Sequence, residues 1–446
     1  MKFRWLSTAL SAIVLLSFAA AVPAASERLS DQTLECLKCH EVMTGIVGQW
    51  EDSAHWNAGV GCFECHQARE DEADAMDHYG FQVAVIVSPQ DCAQCHPQQA
   101  AEQEASHHAR AGDILNTKDG LLGQTLGGEP AVAVGCRQCH GSIVRVMENG
   151  KLDPATWPNT GIGRVNPDGS RGACSACHTR HRFSKEQARQ PEACGKCHLG
   201  PDHPQKEVYE ESKHGILYHA FKDELNMDRP KWVAGDDYFD APTCATCHMS
   251  ATPDQGVTHD VGDRLSWDLR APVSQRTQDY ELKRERMQKV CSSCHGQPFI
   301  DGVYAQLDEF ILLYNEKFAV PAQEIRALLM DEGVISKADF DDRIDWIYWE
   351  LWHREGRRAR HGAAMSGPDY AWWQGIYEIA KNFYSELLPE AEKACEKAGR
   401  PDVYAEILAR YIDARSEHEW FTKGFDPQRL KAMKTYYQDR YQQSVE

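Results

Sequence analysis

The residues with the clearest chemical signature in this chain are cysteines that recur in the pentapeptide Cys-x-x-Cys-His. Sixteen of the 17 cysteines in the 446 residues belong to eight such pentapeptides, and only Cys395 lies outside them. Two thiols three positions apart, followed directly by an imidazole, are typical of a c-type haem attachment site. The thiols form thioethers with the porphyrin, and the histidine becomes the proximal ligand of the iron.

We number the pentapeptides motifs 1 to 8 in chain order. The predicted haem attachment sites are Cys36 and Cys39, Cys62 and Cys65, Cys92 and Cys95, Cys136 and Cys139, Cys174 and Cys177, Cys194 and Cys197, Cys244 and Cys247, and Cys291 and Cys294. The predicted proximal iron ligands are His40, His66, His96, His140, His178, His198, His248 and His295.

Disulfide frameworks, zinc sites and iron–sulfur clusters also use paired cysteines, but they explain this pattern less well. A disulfide does not require a histidine after every second cysteine. A zinc site would use cysteine pairs without an invariant third residue. The repeats therefore predict eight covalently attached haem c groups. No Cys-x-x-Cys-Lys motif occurs, which excludes a lysine-ligated catalytic haem.

Twelve histidines lie outside the motifs and are candidates for the second axial position. An electron-transfer haem has both axial positions filled, whereas a catalytic haem keeps one open. A tripeptide Ser-x-His recurs three times, which suggests a shared ligand role. We predict that His353 and His418, on helices among charged residues, are surface groups, and that His219 is secondary. The predicted distal ligands are His55, His78, His108, His181, His214, His259 and His361, with His203 left as an active-site group.

The motifs divide the chain into two predicted domains, residues 26–300 and 301–446. Each motif in the first domain has only a few dozen residues of its own, too few for separate cores, so the haems must pack closely and form the core. Glycine and proline punctuate this part, which predicts short helices and long loops, with a small hairpin within residues 115–158. The predicted fold is mainly α, with little strand.

Residues 301–446 contain many helix formers and few breakers, which predicts a bundle of long helices. One helix is expected to begin near Ser336, because Phe340, Ile344 and residues farther on recur on one face. A second is expected from about Tyr370 to Leu388, ended by Pro389.

The first 25 residues have the pattern of a secretory signal peptide: a short positive segment, an apolar segment and a small-residue cleavage site. They predict export to the periplasm. No later segment is apolar for long enough to suggest a membrane span. The formal charge of −19 argues against nucleic acid as a partner.

Around these motifs the chain resembles the octahaem hydroxylamine oxidoreductase family. The resemblance is densest in residues 174–266, where motifs 5 to 7 are interspersed with Thr179-Arg180-His181, Asp202-His203, Ser212-Lys213-His214-Gly215 and Thr258-His259. With all eight motifs in order, it covers most of residues 30–380. Part of the pattern is also similar to the shorter pentahaem nitrite reductases.

The resemblance implies a catalytic role for the fourth haem, held by Cys136, Cys139 and His140. It also implies a distal pocket formed by Asp202, His203 and Tyr304. A carboxylate beside an imidazole can relay protons to a bound nitrogen–oxygen species. The implied substrates are nitrite and hydroxylamine, the implied partner is a periplasmic or membrane-bound electron-transfer protein, and the implied assembly is a homotrimer.

The chain departs from the family at one position that bears on the direction of reaction. In the oxidising members a tyrosine from a neighbouring subunit is cross-linked to the catalytic haem. Aligned on Gly375, Trp372 stands at that position here, and Tyr370 is displaced from it. The resemblance therefore favours a reductase that converts nitrite or hydroxylamine towards ammonium. Hydroxylamine oxidation and a non-catalytic multihaem electron conduit remain the alternatives.

Overall fold

The computed structural model describes residues 28–443, so the predicted signal peptide lies outside the described residues. Helices make up 59 % of the structure and strands 5 %, which confirms the predicted mainly α class. Within the described range no helix is both long enough and apolar enough to cross a membrane.

The haem motifs coincide with single helical turns. In an α-helix, positions i, i+3 and i+4 lie on the same side, so the two thiols and the imidazole of one motif face the same way. Motifs 2, 4 and 7 are themselves short helices, while motif 1 ends a longer helix. In the first 296 residues the helices are α1 Asp31–His40, α2 Thr44–Glu51, α3 Ala54–Asn57, α4 Cys62–His66, α5 Pro89–Ala93, α6 Pro97–Ala105, α7 Lys118–Val134, α8 Cys136–His140, α9 Lys185–Arg189, α10 Pro191–Gly195, α11 Gln205–Glu211, α12 Lys213–Phe221, α13 Cys244–His248 and α14 Tyr280–Cys291, with 3-10 segments at His107–Asn116, Cys174–Ala176 and Lys222–Glu224.

The described strands form two small antiparallel hairpins. Strands β1 (Met76–His78) and β2 (Phe81–Val83) make the first, and β3 (Trp267–Asp268) and β4 (Gln275–Arg276) make the second. The small hairpin predicted within residues 115–158 is found at residues 145–153, where Met147 N donates to the carbonyl oxygen of Lys151 at 2.8 Å, Asp153 N donates to that of Arg145 at 2.9 Å, and Val146 bridges to Leu152. Helices α7 and α8 occupy half of the predicted stretch.

The remaining helices form a bundle in which several α-helical stretches continue through π-helical turns. They are α15 Gln297–Tyr314, α16 Val320–Asp331, α17 Arg343–Trp349, α18 Gly356–Ala364, α19 Pro368–Ala371, α20 Glu378–Asn382, α21 Leu388–Lys397, α22 Pro401–Ile407, α23 Glu419–Lys423 and α24 Pro427–Gln443, with π turns at Asn315–Ala319, Glu350–Glu355, Trp372–Tyr377, Phe383–Leu387 and Leu408–Asp413, and a 3-10 turn at Ser416–His418.

The predicted helix boundaries in this bundle were partly wrong. Pro389 does not end its helix, because the π turn Phe383–Leu387 directly precedes it and the helix continues as α21. Pro321 follows the π turn Asn315–Ala319 in the same way. A π turn changes the hydrogen-bond register and so accommodates a residue that lacks an N–H. Helix α18 ends at Ala364 and α19 begins at Pro368, whereas the helix expected near Ser336 begins at Arg343.

The largest hydrophobic core lies within this bundle. Its buried members run from Tyr314 to Ile412 and include Leu351, Phe383 and Leu387, each fully buried. Cys395, the cysteine outside the motifs, is buried in the same core. The bundle therefore has an apolar core made by its own side chains.

Arg360 joins the bundle to the loop before β4. It is completely buried, and its guanidinium lies 4.3 Å from the ring of Tyr314. Its side chain donates hydrogen bonds to carbonyl groups of the helix and of the loop. The two segments are therefore joined by the hydrogen bonds of a buried guanidinium and not by apolar side chains. The acceptors are the carbonyl oxygens of Gly356 at 2.8 Å, Trp352 at 3.2 Å and Ala271 at 3.0 Å, and the hydroxyl of Ser274 at 2.7 Å.

We predict that Arg360→Met lowers the free energy of unfolding by about 2–4 kcal/mol, because it leaves several buried acceptors without a donor. Denaturant unfolding followed by far-ultraviolet circular dichroism measures this. Arg410→Met is the control, since the Arg410 side chain is 59 % exposed. Equal stability of both variants and the parent chain would contradict the anchoring role.

Candidate haem-binding and reaction site

The repeated Ser-x-His tripeptide has a structural explanation. In each case the serine is the N-cap of a helical segment, and the histidine is the second residue of that segment. The serines are almost completely buried and their hydroxyl oxygens accept hydrogen bonds from backbone N–H groups in the first turn. Each cap thereby fixes the position of its imidazole. The three bonds are Trp56 N to Ser53 Oγ at 3.1 Å, His108 N to Ser106 Oγ at 3.2 Å and Gly215 N to Ser212 Oγ at 3.2 Å.

Three predicted distal histidines face a motif histidine across a gap that suits an iron ion. An iron bound by two imidazole nitrogens at about 2 Å, on opposite sides, sets the ring centroids roughly 6.3 Å apart. The observed separations are close to that value, so these residues fit a haem with two histidine ligands. The pairs are His40 and His78 at 6.0 Å, His96 and His55 at 6.3 Å, and His295 and His214 at 6.2 Å.

Two further pairs are recognised by their mutual electrostatic influence. Burial lowers the pKa of His181, and His66 of motif 2 lowers it further. Burial likewise lowers the pKa of His178 of motif 5 to about 4, with His259 as the next contribution. Buried neutral imidazoles have the protonation state that metal ligands require.

The neighbourhood of His198, in motif 6, is more crowded. Its ring lies 6.1 Å from that of His108 and 6.3 Å from that of His203. Burial lowers the pKa of His108 to about 4, and the next largest contribution comes from His248 of motif 7. Burial lowers the pKa of His361, which is also influenced by His203 and His198. Because one imidazole cannot serve two irons, His108 is a candidate ligand for motif 6 or motif 7, and His361 is a second candidate for motif 6.

Several motif histidines are oriented by a hydrogen bond from the ring to the backbone. His66 Nδ1 lies 2.9 Å from the carbonyl oxygen of Ala84, and His248 Nδ1 lies 3.2 Å from that of Val261. A backbone contact at Ala111 plays this part for His140. A bonded Nδ1–H leaves Nε2 as the free nitrogen for a metal.

The cysteines of different motifs lie close together and connect the motifs in one network. A hydrogen bond with Cys174 raises the pKa of Cys92, and one with Cys244 raises the pKa of Cys194. Burial is the main cause that raises the pKa of Cys62, Cys65, Cys177, Cys197 and Cys247, and a thiol of another motif adds to each shift. Motifs 1, 2, 3, 5, 6, 7 and 8 form one continuous row of neighbours, and motif 4 lies beside motif 6, to one side of this row. The pairs are Cys36 and Cys62, Cys65 and Cys95, Cys92 and Cys174, Cys177 and Cys194, Cys194 and Cys244, Cys247 and Cys291, and Cys139 and Cys197.

Glycines allow the backbone to pack tightly around motif 4. A Cβ on Gly161 would lie 2.0 Å from the backbone nitrogen of Gly141, and one on Gly163 would lie 2.8 Å from the carbonyl oxygen of His140. Gly141 itself has a φ of +80°, which favours glycine. The residues around His140 are thus held by direct backbone contact.

Motif 4 differs from the other motifs in the residues that lie near its histidine. Burial lowers the pKa of His140, and the next contributions come from His203, from the contact at Ala111, and from Asp202 and Asp119. His203 Nε2 lies 3.6 Å from Asp202 Oδ2, and its Nδ1 is buried without a hydrogen-bond partner. The structure therefore brings Asp202 and His203 together beside His140. Both side chains are about one-third exposed, so solvent reaches them.

Sequence reasoning missed a second group of polar residues at this place. Asp119 Oδ1 lies 2.6 Å from His353 Nε2, and Arg357 Nη1 lies 3.8 Å from Asp202 Oδ2. His353 is 8 % exposed and stacks on Trp349, so the prediction of a surface group was wrong. Its acidic partner, Asp119, is distant in sequence, so the pair could not be recognised from the sequence. The only available signal was the spacing of His353, Arg357 and His361 at intervals of four.

His418, also predicted to lie at the surface, is fully buried in the bundle. Its ring stacks on Phe383, and its Nδ1 lies 2.7 Å from the hydroxyl of Tyr384. Burial lowers its pKa to about 4. Aromatic neighbours, which the surrounding charges concealed, explain this placement.

The structure places Tyr304 beside motifs 7 and 8. Its ring lies 4.6 Å from the guanidinium of Arg284. Burial raises its pKa, and Cys291 of motif 8 adds to that effect, as does Cys247 of motif 7. The described contacts of Tyr304 are therefore with residues near motifs 7 and 8, and its place in a pocket with Asp202 stays a prediction.

Comparison with known families covers the whole motif region. Residues 58–340 match a family described as seven times multi-haem cytochrome CxxCH, and residues 17–67 match cytochrome c554 and c-prime. The first match includes motifs 2 to 8, and the second includes motifs 1 and 2. Together they support covalently bound haem c at Cys-x-x-Cys-His motifs of this chain, and the number of eight stays a prediction.

Individual relatives agree with this. The chain is 24 % identical over 476 residues to a probable nitrite reductase-hydroxylamine oxidoreductase fusion protein of Kuenenia stuttgartiensis, with 80 % of this chain and 51 % of that protein covered. It thus spans about half the length of that relative. A solved hypothetical multiheme protein aligns with a TM-score of 0.74 and 27 % identity, over 84 % of this chain and all of the other. A Kuenenia stuttgartiensis reducing HAO-like protein complex aligns with a TM-score of 0.61 and 20 % identity, over 85 % and 88 % of the two chains.

Proposed function

Because the chain belongs to the multihaem cytochrome c family, we propose that it is an exported octahaem reductase of nitrite and hydroxylamine. In this proposal seven haems have two histidine ligands and pass electrons to the fourth haem, where ammonium is formed. One observation carries it. His140 faces a carboxylate–imidazole group, Asp202 with His203, whereas the other motif histidines each have a candidate ligand histidine opposite.

The residues of motif 4 fit a haem with an accessible distal side. Cys136 and Cys139 would hold the porphyrin and His140 the iron, which would supply an open coordination position and electrons. The backbone contacts of the surrounding glycines keep the imidazole in place. Substrate would bind on the side of Asp202 and His203.

The proposed task of Asp202 and His203 is proton delivery. Reduction of nitrite to ammonium consumes eight protons and six electrons, and reduction of hydroxylamine consumes three protons and two electrons. A carboxylate near an imidazole can hold and pass a proton. Partial exposure of both side chains gives the pair a supply of protons from solvent.

The order of neighbouring motifs supports the electron-relay part of the proposal. Motifs 1, 2, 3, 5, 6, 7 and 8 form one row, and motif 4 adjoins motif 6 through Cys139 and Cys197. Electrons that enter at any member of the row would reach the fourth haem through the sixth. The donor would be a periplasmic or membrane-bound electron-transfer protein.

The reductive direction rests on Trp372. This residue is 53 % exposed, and Trp373 beside it is 56 % exposed, so the helix segment presents indoles where oxidising relatives have a cross-linking phenol. Both indoles would be covered in the homotrimer that the family resemblance implies. Hydroxylamine oxidation is the alternative direction.

A non-catalytic electron conduit is the second candidate, favoured by the influence of the His203 imidazole on His140 of motif 4, the largest contribution to the lowered pKa of His140 after burial. The 6.3 Å between the rings of His203 and His198 concerns motif 6 and does not bear on the fourth haem. If His203 completed the fourth haem, every haem would have two histidine ligands. The conduit and the enzyme therefore differ in the coordination of one iron.

We predict one haem without a distal protein ligand. Low-temperature electron spin resonance of the oxidised holoprotein should contain one high-spin or exchange-coupled iron among low-spin ones. The Gly256→Ala variant controls for changes caused by producing and purifying a variant protein, because a Cβ at this position would have no neighbouring atom within 4 Å. A spectrum of low-spin, six-coordinate irons alone would establish the conduit reading.

We predict that His203→Ala reduces turnover of both substrates by about 10²–10⁴-fold, the usual contribution of a general acid–base group. Haem content and thermal unfolding should stay unchanged, because His203 is partly exposed. His219→Ala serves as the matched histidine control, since it lies on α12 away from motif 4. Near-normal turnover would remove His203 from the mechanism.

We predict a catalytic haem without a cross-link to protein. Mass spectrometry of the denatured chain should give the mass of the processed monomer plus eight haems, and a denaturing gel should show no trimer. A covalent trimer, with hydroxylamine oxidation faster than nitrite reduction at matched driving force, would support the oxidative direction instead.

A further inference from the structure

Arg357 occupies a special position between two acid–imidazole pairs. Asp202 with His203 lies on one side, and Asp119 with His353 lies on the other. Both carboxylates act on His140 and on Arg357 itself. The Arg357 side chain is only 11 % exposed, and burial is the main cause that lowers its pKa. Arginine nevertheless remains charged at any pH relevant to a protein.

The hydrogen bonds of Arg357 leave part of its guanidinium unpaired. Nε lies 3.2 Å and Nη2 lies 2.9 Å from the carbonyl oxygen of Arg270, which fixes one edge. Nη1 lies 3.1 Å from His353 Nε2. That nitrogen, however, is 2.6 Å from a carboxylate oxygen of Asp119, a distance that requires its hydrogen to point there. It therefore has no lone pair to accept from Arg357, and Nη1 needs another acceptor.

The distances on the other side leave room for one. Arg357 Nη1 is 3.8 Å and His203 Nε2 is 3.6 Å from the same oxygen of Asp202. Both exceed the length of a direct hydrogen bond, so Asp202 satisfies neither donor fully and both remain able to bind a small polar species beside the carboxylate. His203 Nδ1 is also buried without a hydrogen-bond partner. Arg357 Nη1 and His203 Nε2 thus both face Asp202 Oδ2.

Helix α18 explains why these groups meet. Arg357 and His361 are four positions apart, so they share one face of the helix. His361 is influenced by His198 of motif 6, and Arg357 is influenced by Asp119 and Asp202, the two carboxylates that also act on His140 of motif 4. The π turn Glu350–Glu355 directly before α18 carries His353, and π turns are frequent at functional sites.

We infer that Arg357 is an anion-binding residue of the distal pocket, so that the site takes the anion nitrite in preference to neutral hydroxylamine. This inference rests on the proposed function for the choice of substrate. The carboxylate of Asp119 accepts a hydrogen bond from His353, which leaves the guanidinium of Arg357 to receive an anion. Asp202 is the acceptor that nitrite would displace from Arg357.

Ligand binding to the purified holoprotein tests this without turnover. Nitrite and azide are the anionic probes, and carbon monoxide, bound to the reduced protein, is the neutral one. Arg357→Gln should weaken nitrite and azide binding by about 10–100-fold, the value of a hydrogen bond to a charged group. Carbon monoxide affinity should change less than about twofold, and Arg357→Lys should recover part of the loss, since it keeps the charge.

Arg354→Gln is the matched control, because Arg354 lies on the preceding turn, is exposed and pairs with Glu350. Unchanged nitrite affinity in Arg357→Gln overturns the inference, and so does equal weakening of nitrite and carbon monoxide. Absence of any probe binding in the parent protein also overturns it. If the parent protein binds nitrite through Arg357 but does not reduce it, the proposed function fails and the inference stands.

Discussion

The structure depends on the need of each haem iron for a second group on its distal side. A pentapeptide supplies the thioethers and one imidazole within a single helical turn, so its geometry is local. The opposite position has to be filled from elsewhere in the chain, or left open. Most long-range order in the first 300 residues follows from this, because histidines such as His55 and His181 must be brought to motifs 41 and 115 residues away along the chain. The C-terminal bundle adds an apolar core of its own, and helix α18 extends from it to motifs 4 and 6.

The chemistry of individual motifs was predictable because the residues that carry it lie close together in the sequence. The pentapeptides, the Ser-x-His caps and the adjacent pair Asp202-His203 all lie within five residues. The mainly α class followed from the same patterns. By contrast, Asp119 and His353 meet across more than 230 positions, and nothing in the sequence near either residue reveals the other. Arg357 was missed for that reason, and the role of Tyr304 stays a prediction because resemblance gives an order of residues but not their positions in space.

The bundle illustrates a second limit of sequence reasoning. Proline is normally a sign that a helix ends, and Pro389 was interpreted in that way. A π turn is a response of the backbone to its tertiary surroundings, so a reading of local propensity does not anticipate it. Histidine burial was misjudged for a related cause. The rings of His353 and His418 stack on Trp349 and Phe383 even though charged residues lie beside both histidines in the sequence.

The serine caps carry an implication for how such proteins diversify. A buried hydroxyl and an imidazole two residues later need only the first turn of a helix, so the pair can be gained or lost by one or two point mutations. The helix itself would survive, since loss of a cap costs only about 1 kcal/mol. Evolution could thus convert a conducting haem into a reactive one, or the reverse, while the chain keeps its architecture. Divergence among multihaem cytochromes would then be driven by which imidazoles are retained, with the scaffold acting as a constant platform.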